Sequence, residues 1–216
     1  VTTKTRYGTD HRKINVDYYN EIRGMTELGR KYIADKLAGQ FCENIKVPST
    51  AINPPGQVSD PNVEATSGLL LFDGTKTELI YAIVQMPYRW QLGTDIHPHI
   101  HWEKTTSEAG NVAWQMRYKK APVNGVRDAD WTDLGIVDTP TQLTPDTDTA
   151  DYQIVTQWDE IDMTGLNVEH SVLFELSRAG GDALDTYNQD ARLISIDIHY
   201  LIDSPGGIRD FQKQTY

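Results

Sequence analysis

Between Ile96 and Glu103 the chain reads Ile-His-Pro-His-Ile-His-Trp-Glu, and this alternation constrains the fold more than any other feature. Successive side chains of a β-strand point to opposite faces, so His97, His99, His101 and Glu103 share one face while Ile96, Pro98, Ile100 and Trp102 share the other. Half of the six histidines therefore stand on one side of one strand. Such a row is a metal-binding surface, a packed polar interface or a pH-sensitive seam between subunits.

A second alternating segment runs from Leu193 to Leu201. Its spacing predicts Ile194, Ile196, Ile198 and Tyr200 on an apolar face and Ser195, Asp197 and His199 on the opposite one. If the two strands pair, His99, His101, Asp197 and His199 form a cluster, with His170, at the start of another strand, as a further candidate. Imidazoles two residues apart on a strand lie about 6 to 7 Å apart, so one adjacent pair could share an ion with a third ligand from a neighbouring strand. The candidate metal residues are thus His97, His99, His101, Asp197 and His199, and the candidate cofactor is a divalent transition-metal ion such as Zn²⁺, Mn²⁺, Fe²⁺ or Ni²⁺. Ile96, Ile100 and Trp102 claim the core more strongly than the histidines do, which turns the histidine row outward.

The rest of the chain carries the same β signature. Apolar runs at Gly68 to Phe72, Glu78 to Met86, Val112 to Tyr118, Tyr152 to Trp158 and His170 to Ser177 join the two strands above, separated by connectors rich in Gly and Asx. Five Trp and eleven Tyr supply large rings for a core. The predicted fold is mainly β, an antiparallel β-sandwich or jelly roll with an N-terminal helical arm. Residues 1–46 read as arm and helix, 47–65 as a Pro-rich loop, 66–202 as the sandwich and 203–216 as a C-terminal arm. Within the first segment Tyr18, Ile22 and Met25 fall at helical spacing and predict a docked helix, so they join His99 and His101 as candidate interface residues. Thr139 to Asp151 reads as an exposed loop.

Composition excludes several functions. The net charge is −11 without a Lys/Arg cluster, which disfavours binding to nucleic-acid phosphate. No run of about 18 apolar residues could span a bilayer, and no signal-peptide pattern opens the sequence; a soluble protein is expected. The single cysteine, Cys42, excludes an intrachain disulfide and reads as a small apolar filler. The acidic stretches Asp146–Asp151 and Asp182–Asp190 read as solvated connectors, and no P-loop, G-x-S-x-G or G-x-G-x-x-G occurs.

Two resemblances bear on function. His97-x-His99-x3-Glu103-x6-Gly110 resembles the first cupin motif from its first histidine onward, which implies a metal-dependent enzyme using His97, His99, Glu103 and His199; the second cupin motif is absent around His170 and His199. The Pro-His-Ile-His-Trp strand, the Trp114-x-Met116-x-Tyr118 strand and the Ile-Asp-Ile-His-Tyr strand together resemble small virion structural proteins of tailed bacteriophages over residues 66–205. That resemblance implies a capsid decoration, cement, neck or tail part with no catalytic residues, made in the host cytoplasm and resident in the virion. Its partners would be copies of itself, with a trimer expected, and virion proteins such as the major capsid protein, without nucleic acid or membrane. A carbohydrate-binding module is a third expectation, resting on the Trp and Tyr residues, with Tyr88, Arg89 and Trp90 expected to be exposed before the Gly93 turn.

Overall fold

The computed structural model describes residues 41–142 and 149–202. The predicted helical arm, with Tyr18, Ile22 and Met25, and the C-terminal arm lie outside the described residues.

Among the described residues ten strands make two antiparallel sheets: β1 (Phe41–Pro48), β2 (Asn62–Val63), β3 (Leu70–Phe72), β4 (Thr77–Gln85), β5 (Ile96–Lys104), β6 (Asn111–Ala121), β7 (Thr132–Pro140), β8 (Gln153–Gln157), β9 (Ser171–Ala179) and β10 (Ala191–Ile202). The six-stranded sheet runs β2-β3-β10-β5-β8, with β1 also on β10; the four-stranded sheet runs β4-β9-β6-β7. The result is a β-sandwich whose two inner faces make the core.

The parity of β5 decides which residues form that core. Ile96, Ile100 and Trp102 are fully buried, whereas His97 is exposed and His101 half-buried. Trp102 of one sheet meets Trp114 of the other with ring centroids 6.0 Å apart, and Trp114 meets Phe72 edge-on at 5.0 Å. Aromatic pairs of this kind add about 0.5–1.5 kcal/mol each beyond their burial. The indole N–H of Trp102 donates to Thr156 Oγ1 at 2.9 Å, so its one polar atom is satisfied.

Strand β10 departs from the predicted parity at one place. Leu193 pairs with Trp102 and Ser195 with His101, so Ile194 is the extra residue of a β-bulge. Leu193 therefore takes the core position expected of Ile194, and from Ile196 onward the alternation resumes as predicted. The same bulge divides one edge of β10 between two neighbours: residues 191–193 pair with β3, and residues 195–202 with β1.

Several expectations are corrected. Residues 41–46, assigned to the arm, are strand β1, and its register on β10 begins at Phe41 opposite Ile202. Thr139 and Pro140 belong to β7 rather than to a loop, because Thr139 is buried and its Oγ1 meets Thr156 Oγ1 at 2.7 Å. Trp90 is fully buried, its N–H donating to the Thr94 carbonyl and hydroxyl, and Arg89 pairs with Glu43 at 2.6 Å. Cys42 is exposed, not a packed filler. Among the described residues no helix is long and apolar enough to cross a membrane.

Candidate functional site

The outer face of the six-stranded sheet is where the chemistry-bearing residues meet. The β5–β10 register sets His97 opposite His199, His99 opposite Asp197 and His101 opposite Ser195. Directly opposed residues of an antiparallel pair have Cβ atoms about 5 Å apart, so a 98-residue separation in sequence becomes direct contact. Strand β1 adds Asn44 beside His199, and β8 adds Gln157 beside His99 and Val155 beside His101. The four histidines, Asn44, Val155, Gln157 and Trp158 line a concavity of about 510 Å³.

Within this face three side chains converge. His99, His101 and Asp197 each place one donor atom within 4.8 Å of the others. Asp197 is only 2% exposed and His99 only 7%. Asn44 Nδ2 donates to Asp197 Oδ2 at 2.6 Å, and His101 Nε2 stands 3.9 Å from the same oxygen. The His99 ring lies 5.2 Å from that of His101 and 4.4 Å from that of His199. Burial pushes the His99 imidazole below its ordinary range, and the neighbouring His199 adds to that, so a neutral ring is favoured. The Gln153 amide lies 2.7 Å from His101 Nδ1 and orients that ring.

The other members of the predicted set are placed differently. His97 is drawn to Glu160 by an exposed ion-pair contact, away from Asp197. Exposed His199 borders the concavity beside His99 without joining the three-residue group. Glu103 shares the face but faces Arg192, which also pairs with Glu64 and Asp151. His170 stands just before β9, in the opposite sheet, where its Nδ1 accepts the Asn167 N–H at 3.0 Å. A cupin carries its metal inside its barrel, whereas these histidines point away from the space between the sheets, so the expected His97, His99, Glu103 and His199 set has no cupin geometry here. His99 is largely covered by its own chain, while His101, its partner in the expected interface, is half-buried.

Asn44 and Gln153 escaped the sequence reading because nothing local marks them; a neutral amide on a short strand is an ordinary surface residue until the register shows its neighbour. The outer face of the four-stranded sheet holds a second group: Tyr81, 42% exposed, stacks on Trp131 with centroids 5.9 Å apart, and Lys119 Nζ stands 5.1 Å from the Trp131 ring.

No family model and no curated protein matches this chain. Among solved structures, it is similar to the insecticidal delta-endotoxin Cry8Ea1 from Bacillus thuringiensis at 9% identity and TM-score 0.42, over 74% of this chain and 24% of that one. It is similar to CBM35 of Abf62 from Cellvibrio japonicus at 9% identity and TM-score 0.39, over 72% of this chain and 92% of the module. The structure of infectious bursal disease virus Gx strain gives 9% identity and TM-score 0.37, over 77% of this chain and 34% of that chain. The chain spans about a quarter of the endotoxin and a third of the viral protein. These scores are low, and the architecture stands on the strand pairing itself.

Proposed function

We propose that this protein is a self-assembling structural part of a tailed-phage virion, not an enzyme, and that the outer face of its six-stranded sheet docks a second copy of the chain. The observation that carries this reading is that outer face, on which no strand among the described residues packs. Four histidines and Val155, the last 45% exposed, line the concavity of about 510 Å³, with the otherwise buried Trp158 at its floor. An extended sheet face of mixed apolar and polar rings is the kind of surface that symmetric oligomers bury. The virion resemblance of the Pro-His-Ile-His-Trp, Trp-x-Met-x-Tyr and Ile-Asp-Ile-His-Tyr strands supplies the biological setting. Its partners are then copies of itself, as a trimer, and virion proteins such as the major capsid protein, after synthesis in the host cytoplasm. Light scattering on the size-fractionated full chain tests this. A trimer mass is expected, reduced toward monomer by Val155→Glu; a monomer at every concentration, or a trimer untouched by that substitution, overturns it.

A second reading has its own observation. The Tyr81–Trp131 stack presents a flat aromatic surface, with Lys119 beside it, on the other sheet. Sugars stack on such rings, so this face supports carbohydrate binding as the alternative function. Glycan-array binding lost on Trp131→Ala would favour it; an array without signal would remove it.

A further inference from the structure

We propose that His99, His101 and Asp197 bind one divalent transition-metal ion on the outer face of the six-stranded sheet. Two imidazoles and one carboxylate are a donor set that Zn²⁺ and its first-row neighbours accept, and they come from two paired strands whose backbones the ladder holds fixed. With metal–ligand bonds of about 2.1 Å, donors around a tetrahedral ion stand about 3.4 Å apart. The three donor atoms lie within 4.8 Å of one another, so binding asks the side chains to close by about 1.4 Å at most.

Asp197 supplies the argument independent of proximity. Its carboxylate is almost wholly removed from water, Oδ2 receives the Asn44 amide, and the buried Oδ1 has no hydrogen-bond partner. A buried carboxylate in that state is unfavourable unless a cation answers it. Lys46, across from Asp197 on β1, is exposed and makes no ion pair with it. A protonated His101 leaves the need unmet, since its Nε2 stands 3.9 Å from Oδ2, the oxygen that already has a partner. Ser195, fully buried and cross-strand from His101, also has an Oγ without a partner. A bound ion answers the unpartnered Asp197 Oδ1 directly.

The surrounding groups fit ligands awaiting a metal. Asn44 fixes the carboxylate, and the Gln153 amide, 2.7 Å from His101 Nδ1, holds that ring in place beside it. The remaining coordination position opens to the concavity, beside His199. The proposal is selective within the histidine row, because His97 is engaged by Glu160 and takes no part.

The test is titration of the chelator-stripped full chain with Co²⁺, read by visible absorption and calorimetry. One equivalent per chain with d–d bands is expected, with affinity lowered about 100-fold or more by Asp197→Asn or His101→Gln and changed less than about threefold by His97→Ala. Circular dichroism checks that each variant folds, and His101→Gln decides alone if Asp197→Asn does not. No saturable binding, binding untouched by His101→Gln, or an equal loss on His97→Ala overturns the site. Light scattering on the same samples keeps this separate from assembly: a trimer that binds no Co²⁺ removes only the metal site, and a monomer that binds it removes only the assembly reading.

Discussion

Arg178, fully buried on β9, shows how single side chains hold this sandwich closed. Its guanidinium donates to both oxygens of Asp185, at 2.8 and 2.9 Å, and to the carbonyls of Phe72, Gln189 and Tyr187. One residue thereby ties the end of β3 and the acidic connector before β10 to the middle of the other sheet. Removing one partner of such a pair strands a buried charge, so Asp185→Ala should cost about 3–5 kcal/mol in urea unfolding. His170 offers a pH test. Burial holds its imidazole below the ordinary 6.5, and only the neutral ring accepts the Asn167 N–H. The unfolded chain then takes up a proton that the folded chain resists, so stability is full above about pH 6.5 and falls as pH drops toward the lower folded value. Thermal melts between about pH 7 and pH 5 should show this fall, and His170→Asn, whose Oδ1 keeps an acceptor without the titration, should lessen it.

At the scale of elements, two glycines and one bulge shape the sheets. Gly180, just after β9, faces the backbone of Lys76, and a Cβ there would stand 2.2 Å from the Lys76 carbonyl oxygen. Gly180→Ala should therefore destabilise by about 1–3 kcal/mol, while Ile83→Thr, on the exposed side of neighbouring β4, should stay within about 0.5 kcal/mol. Denaturant melts of the two variants make the comparison, and equal effects would count against the clash. Gly135 sits in the left-handed region at φ +86°, where the β6–β7 register shifts, and its carbonyl accepts the Trp158 indole N–H at 3.1 Å. The bulge at Ile194 matters most, because it lies beside the histidine face and restores the parity that turns Asp197 toward His99.

For the whole molecule the main question is whether the two sheets act as one unit. Trp102 and Trp114 reach each other across the core, and Thr139 of the four-stranded sheet meets Thr156 of the six-stranded one, so neither inner face is independent. Trp102→Ala should cost about 3–5 kcal/mol and should release amide-exchange protection in β9 and β10 together. Loss confined to β10 would mean that the sheets open separately. The outer faces are different in kind: one carries the histidine row and its concavity, the other the Tyr81–Trp131 stack.

Local chain geometry determined which way the histidines face. Alternation on a strand needs only the backbone of that strand, so the outward His97, His99 and His101, the inward Ile96, Ile100 and Trp102, and seven of the ten strands were legible from spacing alone. β1, β2 and β7 were not, being short or mostly exposed, and β7 is interrupted by Gly135. Tertiary structure decided the rest: that β5 lies beside β10, that Leu193 replaces Ile194 in the core, that Trp90 is buried, and that Asn44 reaches Asp197 from 153 residues away. The reason is physical. Strand parity is a property of neighbouring residues, whereas pairing order and the desolvation of a carboxylate depend on groups that meet only when the chain has folded.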